Sequence, residues 1–184
     1  MADVASARPD LMRRLLGQSG ERLIKIASGN DPRPVDSAPS DSQKSYSKDR
    51  TLEKDTTDYP YIRSVARELA ERLAERLRAD GKAARTVTFK IRYSDFTDIS
   101  RSMTLTEPVS GNSEILNCLN QLFWKTITRR TSVRQVGVKL SGIEDPLQQT
   151  NLFDPGLPLR KELDRAVDTI RRRFGFDAIR SPGE

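Results

Sequence analysis

The chain has 184 residues, 35% hydrophobic and 32% charged, which is enough for one ordinary domain with appendages or for two small domains. It carries 32 Lys and Arg against 26 Asp and Glu, a net charge of +6, which favours a polyanionic partner if the cations share one face. With no histidine, one cysteine and no glycine-rich phosphate loop, the sequence excludes Ser-His and Cys-His nucleophiles, imidazole metal ligands and an internal disulfide.

The first 42 residues divide into a helical part and a linker. Residues 9–28 are predicted to form one or two short helices around Gly17 and Gly20, because leucines and isoleucines recur on one side. Residues 29–42 are rich in proline, serine and aspartate and show no apolar period. This composition is typical of a linker that its prolines stiffen in part.

The next segments are predicted to form a strand and a helix. The stretch QKSYSKDRTL, residues 43–52, is polar but tolerates β-structure. Residues 60–80 form an amphipathic helix, because apolar residues recur on one stripe and Gly81 follows it. The stripe consists of Ile62, Val65, Ala66, Leu69, Leu73 and Leu77.

The stretch ARTVTFKIRYSDF, residues 84–96, alternates strictly between apolar and polar residues. A period of two predicts a strand with one buried face, and the polar face here carries hydroxyls and cations but no acid. A tight turn at 94–97 leads to a strand at 98–105. A second amphipathic helix is predicted for 113–129, with Cys118 on its buried side, and a last strand for 132–143.

The order β-α-β-β-α-β predicts an α+β fold, a four-stranded sheet with both helices on one side and the other side open. Strand parity gives this open side hydroxyls, amides, cations and no aromatic residue. Its predicted members are Ser45, Ser47, Thr86, Thr88, Lys90, Arg92, Ser100, Ser102, Thr104, Gln135, Gly137 and Lys139. Such groups bind phosphate oxygens, and glycine permits close approach. Without an aromatic residue for stacking, we expect the side to prefer a duplex backbone to a single strand.

Three segments in this order resemble the little-finger domain of Y-family translesion DNA polymerases of the bacterial polymerase IV type. They are KSYSKDRTLEKDTTD, ARTVTFKIRYSDFTDISRSMTL and VRQVGVKLSG. The upstream LMRRLLGQSGERLIKIASGNDPRPV resembles the end of that family's thumb and the start of its tether. The resemblance implies a thumb-like helical remnant at 1–28, a linker at 29–42, a DNA-binding little finger at 43–143, and a clamp-motif loop with an amphipathic tail helix at 144–184. In that family the little finger grips the template-primer duplex across the major groove, in DNA damage bypass.

The resemblance assigns DNA contacts on all four strands. The matching residues are Lys44, Ser45, Ser47, Lys48, Thr86, Thr88, Lys90, Ser100, Arg101, Arg134, Gln135, Gly137 and Lys139, and the open side adds Arg92 and Ser102. Arg101 and Arg134 have the parity of inward residues, so we expect them at strand ends or at a bulge, unless their assignment as DNA contacts is wrong. Tyr46 stands where the family usually has an aliphatic residue, which indicates a core position.

The family's palm domain, which holds two magnesium ions for nucleotidyl transfer, precedes the thumb. No segment of the 184 residues resembles it. We therefore expect magnesium to serve the full polymerase, no cofactor in this chain, and no nucleotide incorporation by this chain alone. Whether the chain is a fragment or a natural truncation stays open.

After the last strand, Gln149, Leu152 and Phe153 resemble the pentapeptide by which bacterial polymerases bind the sliding clamp, with Thr150 in place of the usual leucine. The alternative is an apolar pair that packs on its own domain. A tail helix follows, which docks either on a partner or on this domain. Its apolar stripe comprises Leu159, Leu163, Ala166, Val167, Ile170 and Phe174.

Two other functions remain open: an RNA-binding module, which shares the element order but uses exposed aromatic residues, and a non-catalytic module that interacts with the clamp. No apolar run approaches the ~20 residues of a membrane span. The first residues lack the apolar core of a secretory signal, and a single cysteine is compatible with a reducing compartment. We therefore expect a cytoplasmic chain without membrane contact.

Overall fold

The structure is a computed structural model that describes residues 1–31, 33, 44–146 and 157–179. The chain forms two compact units, Met1–Asp41 and Ser42–Glu184. No helix in these ranges is long and apolar enough to cross a bilayer.

The first unit contains three short helices, α1 (Ala2–Ala5), α2 (Pro9–Leu16) and α3 (Gln18–Ala27). Gly17 separates α2 from α3 with a φ of 62°, a left-handed conformation that favours glycine. Gly20 is buried, and any side chain there would collide with the backbone carbonyl of Met12. The two glycines that the sequence singled out therefore turn the chain and let α3 pack closely on α2.

The second unit has the predicted α+β fold. Its elements are β1 (Ser45–Thr56), α4 (Tyr59–Ala79), β2 (Ala83–Tyr93), β3 (Asp98–Val109), α5 (Asn112–Thr126), β4 (Val133–Glu144), α6 (Leu157–Phe174) and a 3-10 turn (Phe176–Ala178). The four strands form one antiparallel sheet in the order β1-β4-β2-β3. Helices α4 and α5 both pack on one side of this sheet, so the predicted element order and layering are confirmed.

Helix α4 has clear start and stop signals. The carboxylate of Asp58 accepts a hydrogen bond from the backbone N–H of Tyr61 at 3.1 Å, and Pro60 occupies the first turn. Gly81 follows the helix with a φ of 64°. Between these ends, the predicted stripe is buried against the sheet, where each enclosed large aliphatic side chain contributes about 1.5–3 kcal/mol.

Helix α5 ends at Thr126, three residues before the predicted end at 129. The chain turns extended at Ile127, and the backbone N–H groups of Thr128 and Arg129 donate to the hydroxyl of the buried Tyr93, each at 3.3 Å. A tertiary partner thus replaces the hydrogen bonds that further helix would have made. Periodicity alone cannot show this, because Tyr93 lies on another element.

Helix α6 docks on its own domain through its charged side. Arg78 of α4 donates two hydrogen bonds to the Asp168 carboxylate, both at 2.7 Å. Asp164 accepts from the backbone N–H of Asn112 at 3.1 Å and so caps the start of α5. Arg171, whose side chain is 1% exposed, donates to Glu71 at 2.6 Å.

The apolar stripe of α6 points away from these contacts. Leu159, Leu163, Ile170 and Phe174 are 37–71% exposed, and Val167 is half-buried. Of the two alternatives for the tail helix, docking on its own domain is therefore the one observed, but through acids and arginines rather than through the stripe.

Candidate nucleic-acid interface

Four rows of side chains cross the side of the sheet opposite helices α4 and α5. The strand registers align Ser45–Ser141–Thr86–Thr104, Ser47–Lys139–Thr88–Ser102, Asp49–Gly137–Lys90–Ser100 and Thr51–Gln135–Arg92–Asp98. We call these residues the open face. Strand geometry makes it about 20 Å long and about 14 Å wide. All the residues that strand parity predicted for this side lie in it, and their part in binding stays a prediction.

Hydroxyl pairs give the open face an ordered set of polar groups. Thr86 and Thr104 hydrogen-bond through their side-chain oxygens at 3.0 Å, and Thr88 and Ser102 do so at 2.9 Å. In each pair one hydroxyl donates, which leaves the other hydrogen free for an external acceptor. These cross-strand pairs hold two potential donors to phosphate in place.

The open face also carries acids, which the reading of β2 alone missed. Asp98, next to the β2–β3 turn, accepts from Arg92 Nε at 2.7 Å and from Arg92 Nη2 at 2.8 Å. The Nζ of Lys90 lies 3.8 Å from an Asp98 oxygen. The hydrogen bonds from Arg92 hold the pKa of Asp98 below its ordinary value, with help from the charge of Lys90. The carboxylate therefore competes with phosphate for two cations.

Gly137 lies in the third row, between Asp49 and Lys90. A side chain at Gly137 would collide with the Asp49 carboxylate, which lies over the glycine. The sequence suggested that this glycine lets a ligand's backbone come close. In the structure that space is already filled by an acid of β1, so Asp49 must move before anything else can occupy it.

Lys48 and Arg101 lie on edge strands with the parity of the helix side. Lys48 pairs with Val138, and Arg101 pairs with Phe89 in the middle of β3. A strand end and a bulge are therefore both excluded for Arg101, and its contact with DNA stays a prediction. An edge strand has no neighbour on one flank, so its long cationic side chain reaches solvent there, and both residues are exposed.

Arg134 lies at a bulge, and Lys44 lies just before β1. In β2 the adjacent Arg92 and Tyr93 pair with Gln135 and Val133, which leaves Arg134 as the extra residue of β4. Its guanidinium is 3.7 Å from Asp55. Arg134 therefore lies at a bulge, as its inward parity led us to expect. Its contact with DNA stays a prediction.

Sequence reasoning missed an aromatic residue at the end of the open face. The turn 94–97 follows Arg92 of the last row, and it carries Phe96 with a φ of 62° and 66% exposure. The Arg134 guanidinium lies over the Phe96 ring, 5.0 Å from its centroid. We call Phe96, Arg134 and Arg129 the hairpin corner. An apolar residue in a short polar turn was the available signal, but strand parity does not extend into turns.

Other predicted chemistry has no site in the described part of the chain. Residues 147–156, and with them Gln149, Leu152 and Phe153, lie outside it. Within it, no group of three or more His, Cys, Asp or Glu could hold a metal ion, so these acids do not fit a magnesium pair. Burial raises the pKa of the Cys118 thiol, which makes Cys118 a poor nucleophile.

Comparison with known proteins gives the family. Residues 43–152 match the impB/mucB/samB family C-terminal domain. A curated DNA polymerase IV of Dehalococcoides mccartyi is 36% identical over 167 residues, covering 90% of this chain and 42% of the relative. One of Desulfatibacillum aliphaticivorans is 34% identical over 181 residues, covering 96% of this chain and 45% of the relative. The chain thus spans less than half the length of the curated relatives it matches.

Two solved structures are also similar. The crystal structure of DinB from Sulfolobus solfataricus has a TM-score of 0.49 at 16% identity, covering 78% of this chain and 41% of that chain. The little finger domain of PolIV, in a complex with a beta-clamp processivity factor, has a TM-score of 0.44 at 14% identity, covering 59% and 97%. Because the family domain matches residues 43–152, more than half of the sequence, the chain belongs to the Y-family DNA polymerases of the polymerase IV type, as their C-terminal, little-finger domain.

Proposed function

We propose that the chain is the duplex-DNA grip of a translesion polymerase, and that the open face lies on the backbone of the template-primer duplex. One observation carries this proposal. The side of the sheet opposite α4 and α5 presents hydroxyls, amides and cations beside two acids, and none of its described side chains is large and apolar. A surface of this kind suits phosphate oxygens, which take most protein–DNA hydrogen bonds.

The dimensions of the open face support the proposal. The face is about 14 Å wide, and the major groove of B-DNA is about 12 Å wide. A duplex can therefore lie with its two backbones near the two edges of the sheet. Lys48 on the β1 edge and Arg101 on the β3 edge would then bind the phosphates that flank the sheet. Lys90 and Lys139 would bind phosphates that lie over the open face.

The proposed contacts are to phosphate, so binding should depend on salt and little on sequence. Lys90→Ala should weaken duplex binding about five- to tenfold at 0.1 M salt and flatten the slope of log affinity against log salt by about 0.9. The matched control is Lys125→Ala, which removes an exposed lysine from α5 on the other side of the sheet.

Fluorescence anisotropy with a labelled duplex measures both quantities. The proposal requires that Lys125→Ala leave affinity and slope unchanged and that a second duplex of unrelated sequence give the same values. Binding that ignores salt rules the proposal out. Tighter binding to single-stranded RNA than to duplex DNA also rules it out and favours the RNA-binding alternative.

We further propose that DNA synthesis belongs to a longer polymerase and that this chain alone incorporates no nucleotide. Two-metal transfer needs convergent carboxylates, and the acids of the open face are held by arginine or lie over glycine. Primer extension by the purified chain above a mock preparation would contradict this. Clamp tethering through Gln149, Leu152 and Phe153 is a second proposal, supported by their position soon after β4.

A further inference from the structure

We propose that the hairpin corner is a stacking site for an unpaired DNA base, and that it recognises the junction where a single strand leaves the duplex. The inference rests on the proposed DNA grip and adds a second contact to it. Phe96 supplies the ring, and Arg134 and Arg129 supply charge for the flanking phosphates. The chemistry is that of single-strand binding proteins, in which aromatic rings stack on bases and cations follow the backbone.

The backbone of Phe96 indicates that this residue is more than a turn former. Its φ of 62° is a left-handed conformation in which glycine or asparagine is the common residue. Burial of the ring would offset such strain, yet the Phe96 ring is 66% exposed. The turn therefore holds a large apolar ring in water at a conformational cost, as expected of a residue whose partner is another molecule.

Arg134 lies over the ring, and Arg129 is held to the same turn through Asp95. Arg134 lies over Phe96 at 5.0 Å from its centroid and near Asp55. Arg129 is held by Asp95 at 2.8 Å and lies over the Tyr93 ring, 5.2 Å from its centroid. The 127–132 loop is tied to the turn, since the N–H of Ser94 donates to the carbonyl of Ser132 at 2.9 Å. The corner is thus ordered before any ligand binds.

The position of the corner identifies the ligand. Arg92 lies in the last row of the open face, and the turn begins two residues later, at Ser94. A DNA strand that follows the face to this end reaches the ring within about two base-pair steps of about 3.4 Å. Stacking along the strand needs an unpaired base, because a base pair inside the duplex is covered on both faces by its neighbours. The corner should therefore add affinity only for a duplex that continues as a single strand.

The test uses two labelled probes, a blunt duplex and the same duplex with a short single-stranded extension. Wild-type chain should prefer the extended probe, and Phe96→Ala should lower its affinity for that probe about five- to a hundredfold. Affinity for the blunt duplex should stay the same. Phe96→Trp should keep the preference and Phe96→Leu should lose it, because leucine is apolar but has no π face. These residues all carry a Cβ, so each keeps the same backbone cost at this φ.

Two controls separate stacking from other effects. Trp124→Ala removes another exposed aromatic residue, on α5 across the sheet, and should change neither affinity. Trp124 is the only tryptophan, so the double variant Trp124→Phe/Phe96→Trp reports on position 96 alone. Its fluorescence should be quenched by the extended probe and not by the blunt one.

The outcomes distinguish this inference from the grip on which it rests. If wild-type chain binds neither probe, both are overturned. If it binds both probes equally and Phe96→Ala changes nothing, the grip stands and the stacking site is refuted. An equal loss for both probes places Phe96 in the duplex contact and also refutes the stacking site.

Discussion

Replacing Asp98 with asparagine should tighten the binding of duplex DNA, because the Asp98 carboxylate holds cations of the open face. It accepts two hydrogen bonds from Arg92, at 2.7 and 2.8 Å, and lies 3.8 Å from the Nζ of Lys90. The carboxylate is charged near neutral pH, as any aspartate of ordinary pKa is, and the hydrogen bonds from Arg92 lower its pKa further. A phosphate must therefore displace this acid to take both Arg92 donors, and it meets a like charge while doing so.

The size of the effect follows from two contributions. A like charge about 7 Å from a phosphate in water lowers affinity about threefold. Releasing Arg92 for one more phosphate adds about 0.9 to the steepness of the salt slope. We therefore expect Asp98→Asn to raise affinity about three- to tenfold at 0.1 M salt. The fold should be unaffected, because the Arg92–Asp98 pair lies at the exposed end of a hairpin.

Fluorescence anisotropy over a salt series measures affinity and slope together. The matched control is Glu144→Gln, which makes the same change in net charge beyond the opposite end of the open face. Glu144 accepts two hydrogen bonds from Arg85, at 2.8 and 2.9 Å, and this lowers its pKa. This control should leave binding nearly unchanged. If Asp98→Asn weakens binding, Asp98 orients Arg92 for phosphate and the competition argued above is refuted.

Three further predictions concern the helices and the tail. Hydrogen bonds from two arginines lower the pKa of Glu68 from 4.5 to about 2, so its stabilisation, present above 4.5, is lost as pH falls towards 2. Glu68→Gln should remove this pH dependence of the free energy of unfolding, about 1 kcal/mol after solvent screening, measured by urea denaturation. If the variant loses as much stability as the wild type between pH 4.5 and 2, the prediction is contradicted. Arg171→Met removes the closest partner of the buried Glu71, which keeps Arg67 at 3.2 Å. The cost should be at most about 3–5 kcal/mol, so α6 should undock and its amides should exchange quickly while those of the sheet stay protected. Slow exchange in α6 would oppose this. Leu152→Ala/Phe153→Ala should cost at least ~2 kcal/mol in calorimetric titration against a bacterial sliding clamp, with duplex affinity unchanged; equal clamp binding by both versions would show that the motif is no ligand.

The sheet could be predicted because its signal is local. Alternation of apolar and polar residues in β2 and β4 predicts the strands and also which side of each strand is buried. The residues of the open face then follow from strand parity. Pairing between strands is not local. The contact of Asp98 with Arg92 depends on the register of the β2–β3 hairpin. The space above Gly137 is filled by the carboxylate of Asp49, which comes from β1. The sequence of β2 alone therefore cannot predict the pairing of Arg92 with Asp98, and the sequence of β4 alone cannot predict that an acid lies over Gly137.

Helix α6 shows the same limit more strongly. Its periodicity correctly predicts an amphipathic helix, and the apolar side is the natural candidate for docking. The domain instead offers Arg78 and Glu71 as partners, which lie 90 and 100 residues from Asp168 and Arg171 along the chain. The charges of Arg78 and the buried Glu71 on another helix therefore hold the charged side of α6, and no periodicity within α6 contains that information.

The way α6 is held has a thermodynamic consequence. Unfolding of the core exposes hydrocarbon and so raises the heat capacity, whereas exposure of polar groups lowers it. Release of α6 as an intact helix mainly rehydrates Asp168, Arg171 and their partners, while Leu159 and Leu163 are already exposed to water. Its heat-capacity change should therefore be small or negative, opposite in sign to that of the domain. Because the hydration of ions becomes less favourable on heating, the attachment of α6 should weaken less with temperature than the hydrophobic core of the sheet.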